Sequence, residues 1–233
     1  MPGRVRTNFD ARKSVFVRRL VEEGAHGKVD FDIYDFLLTF NKSLSDYYTT
    51  SSCSGRIALA VAPRLSYSKG SGLFKFIVKW HRPVTYSEVV NALNGIEGSN
   101  IWLLVRAPIM HFVARDLHGA LTILRMAREA GFKHSGIYSV TRDGVVVEVQ
   151  GEDRFEVPIV INGKLITPTD ELKRLIDIAN ETLMFGKFRL AHLIRLIETK
   201  LLNKNWLGDM PRSYFQESYR EFNINNINIK ELI

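Results

Sequence analysis

The chain has 233 residues, 45% hydrophobic and 24% charged, and a net charge of +7 from 32 Lys and Arg against 25 Asp and Glu. That length suits one large domain or two small ones with a proper core. No apolar run is long enough to span a bilayer, since Ile57–Ala62 and Ile101–Val105 are short, strand-like pieces. Arg4 and Arg6 precede no apolar signal core, and the single cysteine excludes an internal disulfide and a thiolate-only metal site. Both features fit a cytoplasmic protein. The basic residues are spread through every segment, so a phosphate-bearing partner is compatible with the charge and not demanded by it.

In chain order, the spacing of Phe9, Phe16, Leu20 and Val21 predicts a helix over Phe9–Glu23, ended by Gly24 to Gly27. A second helix is expected from Asp30 to Asp46, with Asp30 as its cap and Phe31, Tyr34, Leu37, Leu38 and Leu44 recurring at helical spacing. A polar turn, Thr49-Thr50-Ser51-Ser52-Cys53-Ser54-Gly55-Arg56, leads into a strand at Ile57–Ala62. A Gly-Ser loop, Tyr67–Gly72, separates that strand from Phe74–Trp80. Thr85 and Glu88 form a capping-box pattern before a short helix, Tyr86–Leu93.

Strands follow at Ile101–Arg106 and Ile109–Ala114, then a periodic helix from Asp116 to Ala130 closed by Gly131. Asp143-Gly144 and Asn162-Gly163 are hairpin signals, between Ile137–Thr141 and Val145–Val149 and between Phe155–Ile161 and Leu165–Ile166. A long helix, Asp170 to Leu202, carries Lys173, Arg174, Lys187, Arg189, Arg195 and Lys200 on an expected basic outer face, ahead of an Asn-rich tail from Asn203 to Ile233. No linker divides the chain. The pattern predicts a single α/β domain of the α+β type over residues 1–233, core about 9–202, with one mixed, twisted sheet and flanking helices. A short echo links Ser-Ser-Cys-Ser-Gly-Arg with Lys133-His134-Ser135-Gly136, each between a helix and a strand. It suggests two related halves with both Ser-Gly turns at one cleft.

Most familiar chemistries find no footing. The nearest Gly-rich turn, Gly70-Ser71-Gly72, precedes a strand instead of opening a helix, so a Rossmann-type fold is not expected. There is no GKS/GKT phosphate loop, no HExxH and no GxSxG elbow. Cys53, His81, His111, His118 and His134 have no CxxC or HxxxH spacing, and no metal is expected. The hydroxyl run remains. Ser51, Ser52 and Ser54 donate and accept hydrogen bonds, Gly55 admits close backbone approach, and Arg56 offers a planar fork for a carboxylate or phosphate. Turn formation alone is the plainer account of the serines, and core filling that of Cys53. His81, at a strand end, and His111, inside an apolar strand, are candidate proton acceptors, although a surface and a core role respectively would also explain them. Trp80 and Trp102, near strand ends, are candidates to stack on a nucleobase, although core filling is the plainer account of each.

The run Thr49–Arg56 resembles the signature of the tRNA wybutosine-synthesizing protein 3 family. Collinear with it, Lys13, Trp80-x-x-Pro83 with His81, Pro108-x-x-His111, Gly131-Phe132 with Ser135-Gly136, Val157-Pro158 and Ile178-Ala179-Asn180 resemble that family's motifs from about Phe9 to Leu202. Arg12-Lys13-Ser14 stands where many relatives carry Lys-Gly-Ser, and the Asn-rich tail departs from the pattern. The resemblance implies an α/β fold of its own type and an S-adenosylmethionine-dependent methyltransferase. Its substrate would be the tricyclic guanine derivative beside the anticodon of tRNA-Phe. On this basis His81, His111 and Ser52 are expected in catalysis. Ser51, Ser54, Gly55 and Arg56 would hold the cofactor, and Lys13, Trp80 and Ser135 the tRNA. The rival expectation is a non-catalytic tRNA-binding module whose Ser-rich turn is a phosphate nest.

Overall fold

The computed structural model describes residues 8–63, 72–96 and 98–203. The predicted Gly-Ser loop at 67–72, except its last residue, and the tail beyond 203 lie outside the described residues. The elements, in order, are α1 (Asn8–Ala25), α2 (Phe31–Ser43), β1 (Tyr47–Cys53), β2 (Arg56–Val61), β3 (Lys75–Trp80), α3 (Tyr86–Leu93), β4 (Ile101–Arg106), β5 (Ile109–Ala114), α4 (Leu117–Glu129), β6 (Gly136–Thr141), β7 (Gly144–Gln150), β8 (Phe155–Ile161), β9 (Lys164–Leu165) and α5 (Thr169–Lys200). The expected α/β class stands. The sheet does not: in place of one mixed sheet the described residues form two, ordered β1-β5-β7-β6 and β3-β2-β4-β8-β9. Every described pairing in both is antiparallel. The reason is local. Strands joined by Ser54-Gly55 (β1 to β2) and by Ala107-Pro108 (β4 to β5) do not pair with each other but divide between the sheets.

The chain forms two compact units, crossing from one to the other at 55–56, 106–107, 152–153 and 185–186. Neither unit is therefore a sequence half, and the suggested pair of related halves does not coincide with them. In the first unit, Ile33, Phe36, Leu37 and Phe40 recur at helical spacing on α2 and meet Met110, Phe112, Val145, Val147 and Val149 from alternate positions of β5 and β7. Phe40 and Phe112 are fully buried with their rings edge-on at 5.3 Å, and each such side chain contributes about 1.5–3 kcal/mol through burial. On the other face of the same sheet, Phe9 and Phe16 of α1 cover Tyr48 and Val113. Gly144 closes the β6–β7 hairpin at φ +130, and a Cβ there would meet the Ala114 carbonyl at 2.7 Å, so only glycine fits.

The second unit packs Ile57, Leu59, Leu103, Val105 and Ile159 against Leu172, Ile176, Ala179 and Leu183 from the first half of α5. The second half of α5 gives Leu190, Leu193, Ile194 and Ile197 to the first unit's core. Thr85 and Glu88 form the predicted capping box on α3. The Arg82 guanidinium, with the Thr85 amide, holds the Glu88 carboxyl down to about 2. Asn180, 4% exposed, clasps one backbone residue from both sides. Its Oδ1 accepts from the Val84 N–H and its Nδ2 donates to the Val84 carbonyl, both at 2.8 Å. Replacing Asn180 with Ala strands both groups, each at roughly 1–3 kcal/mol. A loss of about 2–5 kcal/mol is expected in a denaturant titration, and a loss below about 1 kcal/mol would show that Val84 has another way to bond. Among the described residues, no helix is long and apolar enough to cross a membrane.

Candidate active site in the four-stranded sheet

The hydroxyl run is not a turn. Most of it is strand β1, at the edge of the first unit's sheet. Tyr47, Tyr48, Thr49 and Thr50 are aromatic and β-branched, which suits a pleated, half-buried surface. The strand is pinned at two places by α2. Asn41, 1% exposed, accepts from the Thr49 N–H at 2.8 Å and donates to Thr49 Oγ1 at 2.7 Å. Asp30 sits at the N-cap position of α2 but makes no side-chain cap bond there; its carboxylate instead accepts from the Ser54 N–H at 2.7 Å. The helix forgoes about 1 kcal/mol of capping, and the end of the run is held in place.

Between the pins the strand bulges. Thr49 pairs with Phe112 and Ser52 with Met110, so Thr50 and Ser51 together face the single residue His111. A bulge re-aims side chains, and here it brings Ser51 Oγ to 2.8 Å from His111 Nδ1. His111 lies opposite Glu148 on β7, and its Nε2 is 2.9 Å from Glu148 Oε2. Ser51, His111 and Glu148 thus form one continuous row across three strands. The carboxylate accepts only, which places the imidazole proton on Nε2 and leaves Nδ1 to accept from the Ser51 hydroxyl. Ser51 is exposed at the open end of this row, and Tyr138 of β6 stands edge-on to the imidazole with centroids 5.9 Å apart.

The remaining expected site residues divide between the units. Ser54, fully buried, accepts at Oγ from Lys187 Nζ at 2.9 Å, and Lys187 also pairs with Asp32. Lys187 is therefore not part of a basic outer face, as its place on the long helix suggested; its side chain is 7% exposed. Gly55 follows at φ +93, a conformation that favours glycine. Ser52 and Ser135 each have a buried Oγ with no hydrogen-bond partner among the described residues. They lie at the same end of the sheet on opposite edges, Ser52 level with Met110 and Val149, and Ser135 just before Gly136, which pairs with Glu148. That separation is three strand spacings, about 14 Å. The two Ser-Gly turns of the sequence echo are thus both at one end of this sheet. Cys53 is half-buried and pairs with Ile109.

Lys13 is half-buried on α1 and donates to the Leu44 carbonyl. Burial pushes its ammonium down, with Asp46 and Asp10 opposing the shift and Arg115 adding to it. It lines a groove of about 730 Å³ along α1, which also involves Val17, Arg18 and Ser45 and does not include Ser51, His111 or Glu148. In the second unit, Trp80 is half-buried against that unit's core and His81 follows it, also half-buried. Arg56 lies over the Phe76 ring, 5.5 Å from its centroid, and keeps a buried Nε without a hydrogen-bond partner among the described residues.

Sequence reasoning missed Glu148. The signal for it existed: His111 and Glu148 are each a lone polar residue inside an apolar strand, and a half-buried charge needs a partner. The phosphate-nest alternative meets an obstacle here. It needs free amides along the run, yet those of Thr49 and Ser54 are taken by Asn41 and by the carboxylate of Asp30.

Comparison with known proteins identifies the family. The family model for Methyltransferase TYW3 matches residues 11–199. A curated protein of Thermococcus sibiricus is 37% identical over 186 residues, covering 80% of this chain and 92% of its own length. It is named tRNA(Phe) 7-((3-amino-3-carboxypropyl)-4-demethylwyosine(37)-N(4))-methyltransferase. A protein of the same name from Saccharolobus solfataricus is 35% identical over 182 residues, 78% of this chain and 86% of its own. A solved structure from Pyrococcus horikoshii superposes with a TM-score of 0.76 at 33% identity, covering 82% of this chain and 96% of that one. Another, from Aeropyrum pernix, gives 0.63 at 32% identity, with 74% and 99% covered. With the match running from α1 almost to the end of α5, the chain belongs to the TYW3 methyltransferase family.

Proposed function

We propose that this protein methylates the ring nitrogen N4 of the 7-aminocarboxypropyl-demethylwyosine base of tRNA-Phe, in wybutosine-type tRNA modification in the cytoplasm. Because neither compact unit is a continuous stretch, residues 1–233 act as one methyltransferase domain. The observation that carries the reading is the row Ser51–His111–Glu148, open at its serine end on the hydroxyl run itself. Relatives bearing the activity in their names, at 35–37% identity, supply its chemical class.

S-Adenosylmethionine, when bound, supplies an electrophilic methyl group on a sulfonium, and the acceptor nitrogen must lose its proton as it takes that methyl. The first unit suits such a polar ligand: Ser52 Oγ and Ser135 Oγ are buried donors in want of an acceptor, and Gly55 puts no side chain in a ligand's way. Ser52, Gly55 and Ser135 would hold the donor. Arg56 keeps one buried donor in its own unit, suited to an anionic group. The row disposes of the proton. The ring N–H passes it to Ser51 Oγ, Ser51 passes its own to His111 Nδ1, and the resulting imidazolium is balanced by Glu148. Ser51 thus belongs to the proton path, and Ser54 to the scaffold beneath it.

Purified protein incubated with S-adenosylmethionine and tRNA-Phe carrying the demethylated intermediate should yield a base one methyl group heavier by mass spectrometry. Absence of that product, with no calorimetric heat on adding S-adenosylhomocysteine, would refute the assignment and favour a tRNA-binding module.

A further inference from the structure

The proton path leaves one neighbour unused. Strand β6 is an edge of the four-stranded sheet, and Ile137, Tyr138 and Val140 on it are 38, 70 and 69% exposed. A single exposed apolar side chain is ordinary. Here three lie on one strand, and the largest of them is in ring contact with the row that takes the proton. The Tyr138 ring meets the His111 imidazole at 73°, so the two rings are crossed and not stacked on each other. The β6–β7 register slips between Ile137 and Ser139, and it is at this irregularity that Tyr138 leaves the regular alternation.

A base delivering its N–H to Ser51 must leave the tRNA stack, and an unstacked base is ordinarily covered by an aromatic side chain. A fused tricycle exposes more π surface than a purine and has more to gain from such cover. We propose that Tyr138 is the stacking platform for the tricyclic base, and that it gives the protein preference for a fused, extended base over an ordinary guanine. The proposal rests on the reading of Ser51–His111–Glu148 as the proton path. Trp80, the aromatic residue expected for this task from sequence, is committed in part to its own unit's core.

The test compares wild type with Tyr138→Ala, Tyr138→Phe and Tyr138→Trp on two tRNAs, one with the tricyclic intermediate and one with guanosine at that position. Equilibrium binding and steady-state kinetics are both read. Tyr138→Ala should weaken binding of the tricyclic tRNA by roughly 10- to 100-fold, with the kinetic loss in KM more than in kcat. Phe and Trp should restore it, and binding of the guanosine tRNA should be the same for all four proteins. An unchanged affinity in Tyr138→Ala would overturn the proposal. So would a Phe variant as weak as Ala, or an equal loss on both tRNAs, which would make Tyr138 a general RNA contact. Binding is measured without turnover. If wild type transfers no methyl group, the functional assignment fails while the stacking proposal is still decided.

Discussion

Replacing His111 with Asn or Ala is expected to lower the rate of methyl transfer by on the order of 10²–10⁴-fold, the range for loss of a positioned proton acceptor. The effect should fall on kcat. Binding of S-adenosylhomocysteine should survive, because the buried, unpartnered hydroxyls of Ser52 and Ser135 are untouched. Stability should change less than activity: the side chains of His111 and Glu148 are 19 and 30% exposed, and a hydrogen bond from a neutral imidazole to a carboxylate is worth about 1.5–3 kcal/mol at most. Glu148→Gln is the sharper variant. A carboxamide can donate to Nε2, which drives the imidazole proton to Nδ1 and turns that nitrogen from an acceptor into a donor toward Ser51. Geometry is kept and direction is lost. Glu148→Gln should therefore approach His111→Asn in rate, whereas Glu148→Asp, which keeps the charge on a shorter arm, should retain more. Ser51→Ala should cost less than either if water can take the place of its hydroxyl. Full activity in both His111→Asn and Glu148→Gln would remove the row from the reaction.

Much of this architecture is legible in the sequence because it is local. Alternation fixes β4, β5 and β8 to the residue, and a capping box fixes α3. Three features were missed for a common reason. Ser51-Ser52 has weak strand propensity, and β1 forms because Asn41 and Asp30, both contributed by α2, fasten it from outside; only the fold decides that. Glu148 gains its meaning from a residue 37 positions away, and Lys187 from partners 133 and 155 positions away. Periodicity places Lys187 on the same face of α5 as Leu183, Leu190 and Ile194, but a lysine reads as exposed until the partners that let it be buried, from other elements, are known. The division into two sheets was missed for a related reason. Ala107-Pro108 is as short as a hairpin loop, yet the strands it joins belong to different sheets, and length alone does not distinguish those outcomes.

Lys187 carries the largest expected effect on stability. Its side chain is 7% exposed and that of Asp32 is 8% exposed. A charge so placed is tolerated only with its partner beside it, and removing one member of such a pair typically costs about 3–5 kcal/mol. Asp32 gains a little from the positive end of α2, whose first turn it occupies, but not enough to replace an ammonium. Lys187→Met should therefore lower the melting temperature by roughly 6–20 °C at about 2–4 °C per kcal/mol for a chain of this size. The same substitution also takes a donor from Ser54 Oγ, so the end of the hydroxyl run should loosen. Hydrogen exchange at the Ser54 amide should accelerate even where the protein stays folded. Asp32→Leu alone should be as harmful, because it leaves the ammonium buried. The double variant Asp32→Leu/Lys187→Met should recover most of the loss, since replacing both charges with apolar groups of similar volume is often neutral or better. Its activity should stay depressed, as Ser54 still lacks the lysine that holds it. A single variant melting within about two degrees of wild type would mean that solvent relieves the stranded charge, and the pair would then have no structural weight. A double variant with full activity would separate the fold's need for Lys187 from the site's, and leave Asp30 alone to hold the Ser54 end of the run.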